Sequence, residues 1–318
     1  MATRDLLDIL IVNKDNSFGL TRDTNLLIEA LASIGRSEGV ATKGIRARSL
    51  LDRLLRRKQA KTILHVERAF PRWFSAGRFN LLCPNQERFP RRHLGRLKGI
   101  DLVLAKSRHA EEIFRGLGVA TAYVGFTSED RLDETVPKNW NSFFHLAGGS
   151  TLKGTEDVIE LWSRHPEWPE LVLVQRDPHP KAAAIANIRV VSGYITDAQL
   201  KELQNSCGIH LCPSRSEGWG HHLVEALSVG AVAVTTDGPP MNEHVSTDCG
   251  LLIPYGRTEP RHLGTNYLVD LAAMEKVVES LIRMDASEKQ RLGSAARKRF
   301  LEIDAGFRAR LAEALKPF

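Results

Sequence analysis

The sequence predicts an α/β protein of two Rossmann-like, doubly wound domains facing across a cleft. Three observations carry that expectation. Strand-sized apolar runs alternate with amphipathic helical stretches from beginning to end, which implies parallel sheets covered on both faces. The 318 residues suit two domains, each able to bury a core. A polar stretch from Thr127 to Asn139, with Pro137 inside it, lacks apolar periodicity and divides the chain. The division expects an N-terminal domain over 1–127, a linker over 128–140, a C-terminal domain over 141–300, and a final helix over 301–318 packing back on the first domain.

In the first half, Leu6–Val12, Thr62–Val66, Asn80–Cys83, Leu102–Ala105 and Ala122–Val124 read as strands. Helical stretches lie at Thr24–Ile34, Ser49–Arg57 and Ala110–Leu117. In the second half the strands are Phe143–Ala147, Leu171–Gln175, Arg189–Ser192, Ile209–Cys212, Ala231–Thr235 and Leu251–Ile253. Helices alternate with them near Thr155–Arg164, Asp197–Asn205, Leu223–Val229 and Leu268–Arg283. Ligands of doubly wound domains bind beyond the carboxyl ends of the strands, so loops of both halves are expected to meet in the cleft.

Composition narrows the classes. No apolar run is long enough to span a bilayer as a helix, and Met1-Ala2-Thr3-Arg4-Asp5 lacks a signal-peptide pattern. Four scattered cysteines without a C-x-x-C pair argue against a zinc site or a disulfide framework and suit a reducing cytoplasm. The net charge of +6 expects an anionic partner: a diphosphate, an acidic membrane or nucleic acid.

The densest chemistry runs from Ser214 to Glu225. Glu217 lies in a loop, and Glu225 follows two helical turns later. Gly218 and Gly220 permit close backbone approach to a ligand. The amides of Trp219, Gly220, His221, His222 and Leu223 open a helix and offer N–H donors to an anion. A diphosphate fits there, with Glu225 accepting from a ribose diol and Glu217 from sugar hydroxyls. The plainer alternative is a capped helix carrying two solvated glutamates.

From Gly193 to Val245 the chain resembles the donor-binding region of retaining GT-B glycosyltransferases, glycosyltransferase family 4 (group 1) in particular. That family carries P-S-x-x-E-G-F-G, a helix with E-A, a strand of the P-V-V-A-T kind and a glycine-rich loop with a glutamate. This chain has Pro213-Ser214-Arg215-Ser216-Glu217-Gly218-Trp219-Gly220, Glu225-Ala226-Leu227, Gly230-Ala231-Val232-Ala233-Val234-Thr235-Thr236 and Asp237-Gly238-Pro239-Pro240-Met241-Asn242-Glu243. The resemblance implies a retaining, metal-independent transferase moving a sugar from a UDP- or GDP-linked donor to an acceptor hydroxyl, with no other cofactor. It implies that Lys153, in Leu152-Lys153-Gly154, contacts the diphosphate. The family's arginine upstream of that lysine is replaced within Gly148-Gly149-Ser150, with Arg176 or Arg215 as substitutes. Gly193, Tyr194 and Ile195 correspond to the family's base pocket.

In the first half, Asn16-Ser17-Phe18-Gly19-Leu20 matches the family's loop after the first strand, with Gly19 facing the donor, although a plain strand-to-helix turn reads equally well. The family's histidine near the reacting sugar has no direct match. Glu87 and then His65 are the candidates, and a buried, satisfied His65 is the plainer alternative. Lys43, Arg46, Arg48, Arg53, Arg56, Arg57, Lys58 and Lys61 interleave with Leu50, Leu51, Leu54 and Leu55, as in a helix lying on anionic lipid. Arg88, Arg91, Arg92, Arg96 and Lys98 form a second basic cluster. The expectation is a cytoplasmic, peripheral membrane enzyme acting on a lipid-linked or polysaccharide acceptor. The rivals are a transferase that modifies nucleic acid, a non-catalytic partner subunit that binds nucleotide, and a sugar-nucleotide epimerase.

Overall fold

The structure is a computed structural model that describes residues 6–14, 19–177 and 179–318. Asn16, Ser17 and Phe18 of the expected donor-facing loop lie outside the described residues, as do residues 1–5.

The chain divides into two compact units: residues 1–127 with 261–264 and 303–318, and residues 128–260 with 265–302. The first contains β1 (Leu7–Asn13), α1 (Gly19–Ser33), β2 (Val40–Gly44), α2 (Leu50–Leu54), β3 (Ala60–Glu67), β4 (Phe79–Pro84), β5 (Leu102–Ala105), α3 (Arg108–Gly116) and β6 (Thr121–Tyr123). Its six strands form one parallel sheet in the order β2-β1-β3-β4-β5-β6. The central strands are near-continuous apolar runs, as a sheet covered on both faces demands. Leu10, Val12, Ile63 and Trp73 form one buried cluster, and Leu82, Phe89, Val103 and Phe114 another.

The second unit contains β7 (Asn139–Gly148), α4 (Thr155–Arg164), β8 (Leu171–Gln175), β9 (Ile188–Ser192), α5 (Asp197–Ser206), β10 (Cys207–Cys212), α6 (His221–Ser228), β11 (Val232–Thr236) and β12 (Gly250–Ile253). The ribbon β13 (Tyr255–Arg261) and β14 (Gly264–Val269) follows, then α7 (Leu271–Arg283) and α8 (Ala286–Ala314). The second sheet is parallel in the order β9-β8-β7-β10-β11-β12. The winding direction therefore reverses between β7 and β10, the place where open α/β sheets receive ligands. Phe143, Trp162, Leu171, Ile209, Val232 and Met274 lie in the core behind it. The expected fold class holds: two wound parallel sheets with helices.

Three elements depart from the sequence reading. The helix expected from Leu268 starts at Leu271, because Gly264–Val269 forms β14 and Asp270 caps the helix by accepting from the Ala273 amide at 2.9 Å. The helix expected to reach Arg57 stops at Leu54, and Arg56 takes a left-handed φ of 48° that ends the turn. The final helix starts at Ala286 rather than 301. Its residues from Ile303 onward group with the first unit, where Phe307 meets Phe126 at 5.0 Å and Arg310 donates to the Val124 carbonyl at 3.0 Å.

Residues 128–138, expected as a linker, group with the second unit. Arg131 is buried there and donates to Asp197 Oδ1 at 2.9 Å, to the Asp197 carbonyl at 3.1 Å, and to Gln204.

Candidate functional site

The site grows from the ends of the two strands that flank the reversal point. After β7 the chain turns through Leu152-Lys153-Gly154 into α4. Gly154 takes φ +68°, and a Cβ on it would be driven into the Pro213 carbonyl oxygen, so glycine is required on both counts. That contact seats the Lys153 turn directly against the loop after β10, and the Arg215 amide donates to the Leu152 carbonyl at 2.8 Å. After β10 the loop carries Ser214, Glu217, Gly218 and Trp219, then Gly220 at φ +98° starts α6.

Within this turn-on-turn packing, the Lys153 ammonium lies 2.8 Å from Glu217 Oε1 and 2.8 Å from His222 Nδ1. Lys153 is 17% exposed and Glu217 14%, so the pair is largely but not wholly withdrawn from water. His222 is buried, and burial followed by the Lys153 charge holds its pKa well below the ordinary imidazole value. Its ring is therefore neutral, with Nδ1 accepting from Lys153 and Nε2–H donating to Ser214 Oγ at 3.1 Å. An ammonium has three donors; Glu217 and His222 take two, leaving one for an anion. The first turn of α6, where the Leu223 amide donates to the Gly220 carbonyl at 2.9 Å, adds the positive end of the helix dipole.

Trp219 is 5% exposed, and its Nε1 donates to Ser128 Oγ at 3.2 Å. The same hydroxyl meets His221 Nδ1 at 2.9 Å. Trp219 also packs edge-on against His244, with centroids 4.2 Å apart, and its carbonyl bonds His244 Nε2 at 2.8 Å. Leu223 is fully buried under α6. These side chains fix the helix entrance rather than line it.

Glu225 differs from expectation. It is 1% exposed, and its Oε2 accepts from Gln204 Nε2 at 2.8 Å, while Gln204 in turn takes Arg131. A direct ribose contact would require this buried Arg131–Gln204–Glu225 chain to open. In the present geometry Glu225 ties α6 to α5.

Arg215 is likewise committed elsewhere, with its guanidinium 3.3 Å from Glu156 and 3.2 Å from Asp157 on the first turn of α4. Arg176, the other substitute, follows β8, and its guanidinium lies over Gly149, within about van der Waals distance of where a Cβ would stand. Its amide donates to the Gly148 carbonyl at 2.9 Å, and its carbonyl accepts from Gly193 at 3.1 Å. Arg176 thus joins the Gly148–Ser150 loop to the Gly193 turn. Gly193 takes φ +80°, Tyr194 beside it is 93% exposed, and Ile195 packs beneath against the Phe144 cluster.

In the first unit, Gly19 is the first residue of α1. His65 sits inside β3, wholly buried; Nε2 lies 3.2 Å from Asn80 Oδ1, and Nδ1 accepts from the Phe70 amide at 3.3 Å. Burial pushes its pKa down to about 4. In this geometry both ring nitrogens of His65 are engaged within the core. Glu87, 5% exposed, lies in a short 3-10 turn, 3.6 Å from Arg88.

Sequence reasoning missed His222 as a partner of Lys153, because adjacency across 69 residues leaves no local pattern. It also missed the buried Lys106, which donates to Asp23 at 2.6 Å and Asn85 at 3.0 Å beyond β5. Among the described residues no three His, Cys, Asp or Glu side chains gather to hold a metal ion.

Residues 180–299 match the family model described as glycosyl transferases group 1. Solved structures match over nearly the whole chain. Anabaena Alr3699/HepE, solved with UDP and glucose, is 14% identical with a TM-score of 0.73, covering 98% of this chain and 100% of that one. A glycosyltransferase from Rickettsia africae gives 14% identity and a TM-score of 0.74, with 98% of each chain covered. Sucrose-phosphate synthase from Thermosynechococcus elongatus gives 13% and 0.71, again with 98% of each covered. No curated protein matches. The structural likeness shows the GT-B fold, and residues 180–299 carry the similarity to group 1 glycosyl transferases.

Proposed function

We propose that this glycosyltransferase moves a sugar from a nucleoside diphosphate sugar to an acceptor hydroxyl, with retention at the anomeric carbon and without a metal ion. The observation that carries the reading is the Lys153 ammonium, held between Glu217 and His222 at the reversal point of the second sheet, beside the N-terminus of α6. A departing diphosphate gains negative charge, and the remaining Lys153 donor and the α6 amides are placed to stabilise it. Glu217 orients the donor sugar. The anomeric carbon–phosphate oxygen bond breaks, the bond to the acceptor oxygen forms on the same face, and the acceptor proton passes to the leaving phosphate.

A uridine donor is favoured because Anabaena Alr3699/HepE, of the same fold, was solved with UDP. The exposed Tyr194 beside Gly193 offers the base-side platform. The reading is tested by release of nucleoside diphosphate in a screen of sugar nucleotides and acceptors. Turnover kept within a few-fold after Lys153→Ala and Glu217→Ala would refute it.

On the acceptor side, the reading is a lipid-linked or polysaccharide acceptor met at an anionic membrane surface. Leu50, Leu51, Leu54 and Leu55 are 65%, 57%, 72% and 55% exposed on and beside α2, rimmed by Arg53, Arg56, Arg57 and Lys58. Apolar side chains that project with a cationic rim suit anionic lipid better than the phosphates of a duplex. No helix among the described residues is long and apolar enough to cross a membrane.

A further inference from the structure

The second basic cluster of the sequence becomes, in three dimensions, a larger assembly drawn from four separate segments of the first unit. Arg68 follows β3; Arg88 lies in the 3-10 turn Gln86–Arg88; Arg92 and Arg96 lie in the 3-10 segment Arg91–Gly99; Arg261 and His262 belong to residues 261–264. Two backbone-directed bonds lock these segments together. Arg96 Nη1 donates to the Ala69 carbonyl at 3.3 Å, and the Leu263 amide donates to the Gln86 carbonyl at 3.3 Å.

Among the described residues two carboxylates pair with this set: Glu67, 2.8 Å from Arg68, and Glu87, 3.6 Å from Arg88. Among the described residues Arg92, Arg96 and Arg261 have no carboxylate at ion-pair distance. The charges are close enough to act on one another. Desolvation and then Arg96, Arg92 and Arg68 lower the pKa of His93, while desolvation and then Arg261, Arg68, Arg92 and Arg88 lower that of His262. His93, 9% exposed, leaves its Nδ1 without a hydrogen-bond partner, as does Arg261 at Nε. A surface whose only task is solubility has no reason to gather like charges against their repulsion while leaving polar atoms unbonded.

We infer that Arg68, Arg88, Arg92, Arg96 and Arg261 form a binding site for a phosphoryl group carried by the acceptor. A guanidinium offers a planar fork of donors that matches phosphate oxygens, and several forks around one phosphate compensate both charge and geometry. The site is distinct from Lys153 and the α6 amides, which belong to the other unit. Calling its ligand an acceptor rests on the transferase reading above; the anion site itself does not.

The test is calorimetric titration of inorganic phosphate with UDP present in saturating amount to occupy the donor site. The wild-type protein is expected to bind phosphate, and the Arg68→Ser/Arg92→Ser variant to bind it about tenfold more weakly or not at all. The variant should melt no lower than wild type, because both side chains are half-buried or exposed and their loss relieves repulsion. UDP affinity should be the same in both. Equal phosphate affinity in the two proteins overturns the inference. Should UDP fail to bind, phosphate titrated into Lys153→Ala still reads the arginine site, so loss of the donor reading and loss of this one are told apart. Competition by phosphatidic acid vesicles or by glycerol 3-phosphate supports the site and tells a lipid headgroup from a soluble phosphate ester. Displacement by duplex DNA at far lower concentration than by either overturns it in favour of nucleic acid.

Discussion

A neutral imidazole supporting a cationic lysine is the smallest unit of the proposed chemistry. His222 accepts from Lys153 and donates to Ser214, so the ammonium is positioned without a second positive charge beside it. Lys153→Ala is expected to lower kcat/KM by about 10²-fold or more, the magnitude typical of losing one preorganised donor at a developing charge, and Glu217→Gln to lower it by loosening the hold on Lys153. Steady-state kinetics on the identified donor checks this. Gly154→Ala tests the turn that delivers the lysine. A left-handed φ and a Cβ directed at the Pro213 carbonyl predict destabilisation of roughly 1–3 kcal/mol, read as a lower melting temperature. A variant that melts with wild type would show that the turn tolerates a side chain. Lys153 and Glu217 were visible in the sequence because turn glycines and a strand-loop-helix order frame them. Their joining by His222, and the withdrawal of Glu225 into the Arg131–Gln204 chain, depend on packing across distant segments and leave no local sign.

At the scale of elements, α2 sets the sharpest contrast between pattern and placement. Its leucines show the spacing of a buried helical face, yet none of the residues in α2 is buried. The helix is nevertheless built firmly: the buried Arg48 guanidinium donates to the carbonyls of Arg72 at 2.5 Å and Asp52 at 3.1 Å, and Ser49 caps the first turn. Leu51→Ser/Leu54→Ser should therefore leave the melting temperature near that of wild type. Partition to vesicles containing phosphatidylserine should weaken about tenfold or more, given roughly 1–2 kcal/mol for each leucine inserted. Flotation that is unchanged by the substitutions, or equal on neutral vesicles, removes α2 as a membrane contact. The same contrast explains which elements were legible. The fully buried strand Leu171–Gln175 announces itself through its apolar run Leu171-Val172-Leu173-Val174. The strand Val40–Gly44 was missed because it is half-exposed and only Val40 and Ala41 are apolar. The ribbon β13–β14 was missed because its first strand is exposed and polar and its second reads into the helix that follows.

The molecule as a whole carries a set of buried neutral histidines that link its stability to pH. Burial is the leading cause that lowers His65, His145 and His244 to about 4 and His210 to about 3, and His222 is depressed with them. The unfolded chain binds protons at these positions near pH 6.5, whereas the folded chain resists doing so until about pH 4. Between those values the unfolded state holds more protons, so stability is retained above pH 6.5 and lost as the pH falls toward 4. Each such histidine contributes a slope of about 1.4 kcal/mol per pH unit in that window. Denaturant midpoints measured from pH 7 to 4.5 should fall steeply, and His210→Gln should flatten the dependence. A pH-independent midpoint would contradict the buried neutral state of these rings.

The central claim is that the Lys153 turn and the α6 entrance bind the diphosphate of a sugar nucleotide. Calorimetric titration of UDP into the wild-type protein and into Lys153→Ala tests it most directly. One site per chain is expected in the wild type, and binding about tenfold weaker or undetectable in the variant. Equal affinity in the two proteins would contradict it.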